Sequence, residues 1–99
     1  NGKPEEAQAA LKEVTHLIDP VPIDFIRYRT QLLMLNGLAH FGLNELEKAK
    51  QYLETFQRQQ GNTPASKLLA QIYMGESNVD RAIDVLENYL RANPLTARL

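Results

Sequence analysis

One phrase occurs three times in this chain, and it constrains the fold more than any other feature. "EEAQAALKEV" (residues 5–14), "EKAKQYLETF" (47–56) and "DRAIDVLENYL" (80–90) each carry an alanine behind charged residues and a leucine four residues later. Another apolar residue follows the leucine at helical spacing. From Ala49 to Ala82 is one interval, and a fixed interval of roughly 33 residues marks a stack of similar helical units rather than a fold of unique elements. Ala7 stands further ahead of Ala49, with the extra length falling in "DPVPIDFI", 19–26. Gly37 precedes Ala49 by the same step as Ala70 precedes Ala82. Two helices cross closely only where a small residue leaves room. Ala49 and Ala82 are therefore expected on one side of each crossing, with Gly37 and Ala70 on the other.

The rest of the chain predicts helices to fill those units. Pro4, Glu5 and Glu6 suit a helix start, and Ala7, Ala10, Leu11, Val14, Leu17 and Ile18 form one apolar stripe behind them. "DPVP" at 19–22 ends that helix. Asp24 is expected to cap a long second helix running to about Phe41 through "FIRYRTQLLMLNGLAHF", broken by Gly42 and Asn44. Leu46, Ala49, Leu53 and Phe56 mark a third helix, ended by Gly61. Thr63 as N-cap and Pro64 as first helical residue open a fourth, followed by a turn at "MGES", 74–77. Asn78 caps a fifth helix that stops at Asn93 and Pro94. No stretch alternates at period two for long enough to argue a strand, so the expectation is all-α with five main helices.

Composition narrows the function classes. The net charge of −1 gives no overall pull toward nucleic acid or an anionic membrane. The absence of cysteine removes disulfides, thiolate metal sites and cysteine nucleophiles. No apolar run approaches the roughly 18 residues of a membrane span. No second histidine stands at i+3 or i+4 from His16 or His40, and packing or surface roles are expected for both. Glu5/Glu6 and Glu45/Glu47 stand at helix starts, where the macrodipole explains them better than acid–base catalysis. Ser66 and Ser77 have no base within reach by sequence, and the glycines form no phosphate cradle. Arg27, Tyr28 and Arg29 form the one basic–aromatic cluster, expected as solvated arginines beside a half-buried tyrosine. No enzyme, metal or cofactor is expected.

At these residues the chain resembles the tetratricopeptide-repeat (TPR) family, whose period is about 34 residues. The matching positions are Gly37, Ala49, Leu53 and Phe56 in one repeat, then Ala70, Tyr73, Ala82, Leu86, Tyr89 and Pro94 in the next. Two positions depart from the family pattern: Leu33 against Ser66 early in the first helices, and His40 against Tyr73 midway along them. The resemblance implies a TPR-like α-solenoid of antiparallel hairpins, about 2.5 repeats in one domain spanning 1–99. Residues 1–19 would be the second helix of a truncated repeat, 22–61 and 62–94 two full repeats, and 95–99 the start of another. A piece of a longer array is expected. A narrower resemblance lies in "LLMLNGLAHFGLNELEKAKQYLETF" followed by "GNTPASKLLAQIYMGESNVDRAIDVLENYLRANP", which are similar to repeats of the TPR lipoprotein of bacterial exosortase (PEP-CTERM) loci. It implies an envelope setting linked to exopolysaccharide and protein sorting, with a cytoplasmic location as the alternative.

In such arrays the first helices line a concave groove, here through Met34, Leu38 and Phe41, then Lys67, Gln71 and Met74. The first three are open to two readings: a partner groove, or a core or self-association contact. Lys67 with Gln71 resembles part of a carboxylate clamp, but Met34 and Leu38 stand where its other polar groups would be needed. The function implied is a non-catalytic scaffold that binds a peptide or helix in the groove. Self-assembly through exposed terminal helices is the alternative. Neither nucleic-acid binding nor direct membrane insertion is expected.

Overall fold

The computed structural model describes residues 3–93 and contains six helices: α1 (Lys3–Ile18), α2 (Ile23–Ile26), α3 (Thr30–Gly42), α4 (Leu46–Gln60), α5 (Ala65–Gly75) and α6 (Val79–Ala92). No strand occurs among the described residues. The all-α expectation holds. Pro94 and the stretch 95–99, expected to open another repeat, lie outside the described residues.

One helix differs from expectation. The continuous second helix is divided into α2 and α3 by a turn at 27–29. Asp24 does not cap it; α2 starts after Pro22, with no side-chain cap bond, and Asp24 sits in the first turn. The stretch from Ile23 to Thr30 is largely β-branched and aromatic, and such residues hold a helix weakly. Packing decides the path instead: Ile26 is buried in a cluster with Ile18, Leu33 and Tyr52. At the start of α5 the shift is a single position. Pro64 is the N-cap of α5, and the Thr63 hydroxyl accepts from the Ala65 N–H at 3.2 Å.

The loops carry the period into the backbone. α3 ends at Gly42 and α5 ends at Gly75, the same interval apart as Ala49 and Ala82. Two positions beyond each glycine, Asn44 and Ser77 both adopt φ 62°. In the first loop the Glu45 N–H donates to His40 O at 2.9 Å and the Asn44 N–H to Phe41 O at 3.0 Å. In the second, Asn78 donates to Tyr73 O at 2.8 Å and Ser77 to Met74 O at 3.0 Å. This is one helix-ending device used twice, a left-handed residue whose turn satisfies the last carbonyls. Asn tolerates that conformation better than Ser, which is uncommon there. Gly61, with φ 77°, ends α4 where a side chain would be strained.

Packing runs in chain order: α1 and α2 on α3, α3 on α4, α4 on α5, α5 on α6. One cluster joins α4, α5 and α6 through Ala49, Leu53, Leu69, Ile72, Ala82 and Val85. A second holds Ile18, Ile26, Leu33 and Tyr52 where α1 and α2 meet α3 and α4. Phe56 packs against both. Ala49 and Ala82 are both buried. Full burial of Leu33, Leu53 and Leu69 contributes roughly 1.5–3 kcal/mol each.

Candidate functional site

The side chains expected to line one groove are distributed over several surfaces. Met34 and Leu38 project from successive turns of α3 and share a groove of about 440 Å³ with Leu35, Phe56, Gln31 and Gln60. Met34 also packs against the α4–α5 core, so it anchors the groove floor, while Leu38 is exposed. Phe41 and Gln71 meet in a smaller hollow of about 170 Å³ with Asn44, Leu46 and Ile72. Lys67 turns toward α6, its Nζ 5.4 Å from the centre of the Tyr89 ring. Met74 is exposed and lines neither hollow. The structure therefore brings Met34 together with Leu38, and Phe41 with Gln71, but does not gather all six.

The repeat-signature residues take these places. Gly37, Ala49, Leu53, Ala70, Tyr73, Ala82 and Tyr89 are buried, Phe56 is half-buried, and Leu86 is exposed at 36%. Leu53 shows what Leu86 lacks. It stands four residues after Ala49, as Leu86 does after Ala82, and is fully buried in the core that α4 shares with α5. Val79, Ile83 and Leu90 extend the uncovered stripe of α6.

Two polar clusters escaped the spacing rules, and they occupy equivalent places. Tyr73, two residues before Gly75 as His40 is before Gly42, donates its hydroxyl to Glu54 and accepts from Arg81 Nη2 at 2.9 Å. Arg81 also lies over the Tyr73 ring at 4.9 Å. Burial pushes the Tyr73 phenol above its ordinary range, and the Glu54 carboxylate adds to the rise. These groups border a cleft of about 510 Å³ between α4, α5 and α6, floored by Leu69 and Val85.

His40 is the second cluster's centre. Its Nε2 lies 2.8 Å from Asp19 Oδ1 and its Nδ1 2.8 Å from Glu45 Oε1. Asn36 Nδ2 donates to the same Asp19 oxygen at 2.9 Å, and the His40 ring stacks on Tyr52 at 5.8 Å. Burial raises the Asp19 carboxyl, but the Asn36 and His40 hydrogen bonds outweigh it, with nearby Lys48 helping, and hold the group below its usual range. Desolvation lifts the Tyr52 phenol. Asn36 Oδ1 is buried with no hydrogen-bond partner. The sequence rules missed this cluster because Glu45 is five residues from His40 across a left-handed turn and Asp19 is 21 away. A search for carboxylates just beyond a helix-ending Gly-x-Asn would have found Glu45.

Among the described residues no three His, Asp or Glu side chains form a metal-binding group, and no helix is long and apolar enough to cross a membrane. Arg27 stands 4.9 Å over the exposed Tyr28 ring on the α2–α3 turn. Compared with known proteins, the chain matches no family model, no curated protein and no solved structure.

Proposed function

We propose that this chain is a non-catalytic protein-binding scaffold, a TPR-like stack of helical hairpins that takes a peptide or helix against α3. The observation that carries the reading is the reuse of one loop geometry, φ 62° at Asn44 and Ser77, in step with the recurrence of Ala49 and Ala82. Repetition of backbone, together with packing that runs from neighbour to neighbour, is what a solenoid unit requires. Such a stack holds its surface side chains in place before a partner arrives, so little ordering is needed on the protein side. The partner surface in this reading is the groove of Met34, Leu35, Leu38 and Phe56, with Gln31 and Gln60 supplying its polar edge. An amphipathic helix with apolar residues at i, i+3 and i+4 suits that composition.

Selection from a displayed library of helical peptides, followed by Leu38→Glu, tests this. Binding should appear in the micromolar range and fall about tenfold or more in the variant, with its circular dichroism unchanged. Binders indifferent to Leu38→Glu would remove the groove from the proposal. The envelope setting rests on the phrase resemblance in residues 61–94. Cell fractionation of the full open reading frame's product tests it, and a cytosolic product would end it.

A second reading is favoured by the uncovered apolar stripe of α6, Val79, Ile83, Leu86 and Leu90. In this reading copies of the chain associate through it. Light scattering over a concentration series separates the two: a mass that stays monomeric excludes association, and one that rises and is reset by Ile83→Glu supports it.

A further inference from the structure

Both ring nitrogens of His40 face carboxylates, Asp19 at Nε2 and Glu45 at Nδ1, each at 2.8 Å. Ionised carboxylates only accept hydrogen bonds, and a neutral imidazole has one N–H to give. The cationic ring satisfies both partners; the neutral ring satisfies one and turns a lone pair on the other. Burial makes the difference matter, because His40 is 1% exposed and water cannot replace the lost contact.

The two partners are held unequally. Asp19 accepts a second bond from Asn36 and has Lys48 nearby. The Glu45 side chain is 49% exposed and makes no capping bond to its own helix. We infer that the proton on His40 is a switch for the α3–α4 turn: the cationic ring clasps Asp19 and Glu45 together, and the neutral ring keeps Asp19 and releases Glu45 to water. The groups facing the ring are Asp19 from the α1–α2 link, Glu45 from the start of α4, and Tyr52 from the body of α4. Lys48 acts on Asp19, and Lys12, Glu13 and His16 of α1 are exposed.

The turn matters for the surface beside it. Asn44 and Leu46, on either side of Glu45, line the hollow that holds Phe41 and Gln71. Release of Glu45 frees that edge, so acid favours the fixed form of the hollow and alkali the loose one. Control of binding there rests on the scaffold reading; the switch does not, and it is measurable without a partner.

The test is nuclear magnetic resonance on the whole chain, labelled with ¹⁵N-histidine and ¹³C-glutamate and titrated from about pH 5 to about pH 8.5. At the acid end both His40 nitrogens should resonate alike, as protonated nitrogens do. At the alkaline end Nε2 should keep its proton and Nδ1 lose it. The Glu45 carboxylate and the amides of residues 44–46 should shift with the same midpoint. Glu45→Gln should hold those amides still across the range, since an amide can accept from the cation or donate to the neutral ring. The switch is overturned if the ring keeps one protonation state throughout, or if its neutral form keeps the proton on Nδ1. It is equally overturned if the turn ignores the His40 midpoint, or still follows it in Glu45→Gln.

Discussion

A β-carbon at position 37 would stand 2.9 Å from Leu53 Cδ2 and 3.0 Å from its Cγ, with Tyr52 Cβ at 3.4 Å. Leu53 is fully buried and has nowhere to move, so a side chain at 37 must separate α3 from α4. Gly37→Leu is expected to destabilise by about 3 kcal/mol, lowering a thermal melt by roughly 10–20 °C. An unchanged melt would place the crossing elsewhere. Asp19 gives a prediction of a different kind. Its carboxyl sits below the usual range in the folded chain, so its contribution to stability is full above the ordinary aspartate value of 3.8 and is lost as pH falls through the folded value. Urea unfolding between about pH 5 and about pH 2 should therefore steepen with acid in the native chain and flatten in Asp19→Asn. Equal slopes would show that the Asn36 and His40 bonds do not hold the carboxylate. Sequence spacing located Gly37 but not the Asp19 cluster. The first depends on a local period, whereas the second depends on how α1 returns over α3.

At the scale of elements, α4 and α6 repeat each other in sequence yet differ in cover. Leu53 and Leu86 each stand four residues after the recurring alanine, one fully buried and the other 36% exposed. Leu53→Ala should cost about 2–5 kcal/mol and Leu86→Ala under about 1 kcal/mol, measured by denaturant midpoints. Similar costs for the two would mean that something covers α6 in solution. Helix ends were largely legible because their causes are local: Gly61 and Asn44 tolerate left-handed backbone, Pro20 and Pro22 bar continuation of α1, and the Asn78 side chain accepts from the Arg81 N–H. The break at 27–29 was not legible, because no proline or glycine announces it. Its cause is the burial of Ile26 beside Ile18, a contact between segments. The same limit applies to the groove. Helix period groups Met34, Leu38 and Phe41, yet only the first two share the groove; Phe41 lies in the smaller hollow, and Lys67 is drawn to the Tyr89 ring on a neighbouring helix.

For the whole molecule, order of packing decides how it comes apart. α1 touches α3 and α6 touches α5, with the fully buried side chains of Leu33 and Leu53 between them in the chain of contacts. In the proposed stack, stability would be close to a sum of interface terms, so damage at one end need not reach the other. Asp19→Ala removes the acceptor of Asn36 and His40 at the α1 end and leaves both donors buried. Amide hydrogen exchange should then quicken about tenfold or more in α1, consistent with loss of a charged hydrogen-bond acceptor. The amides of α5 and α6 should keep their native rates within about twofold. If all helices quickened together, the chain would be unfolding as a single cooperative body, and the stacked-unit architecture behind the scaffold reading would lose its energetic basis.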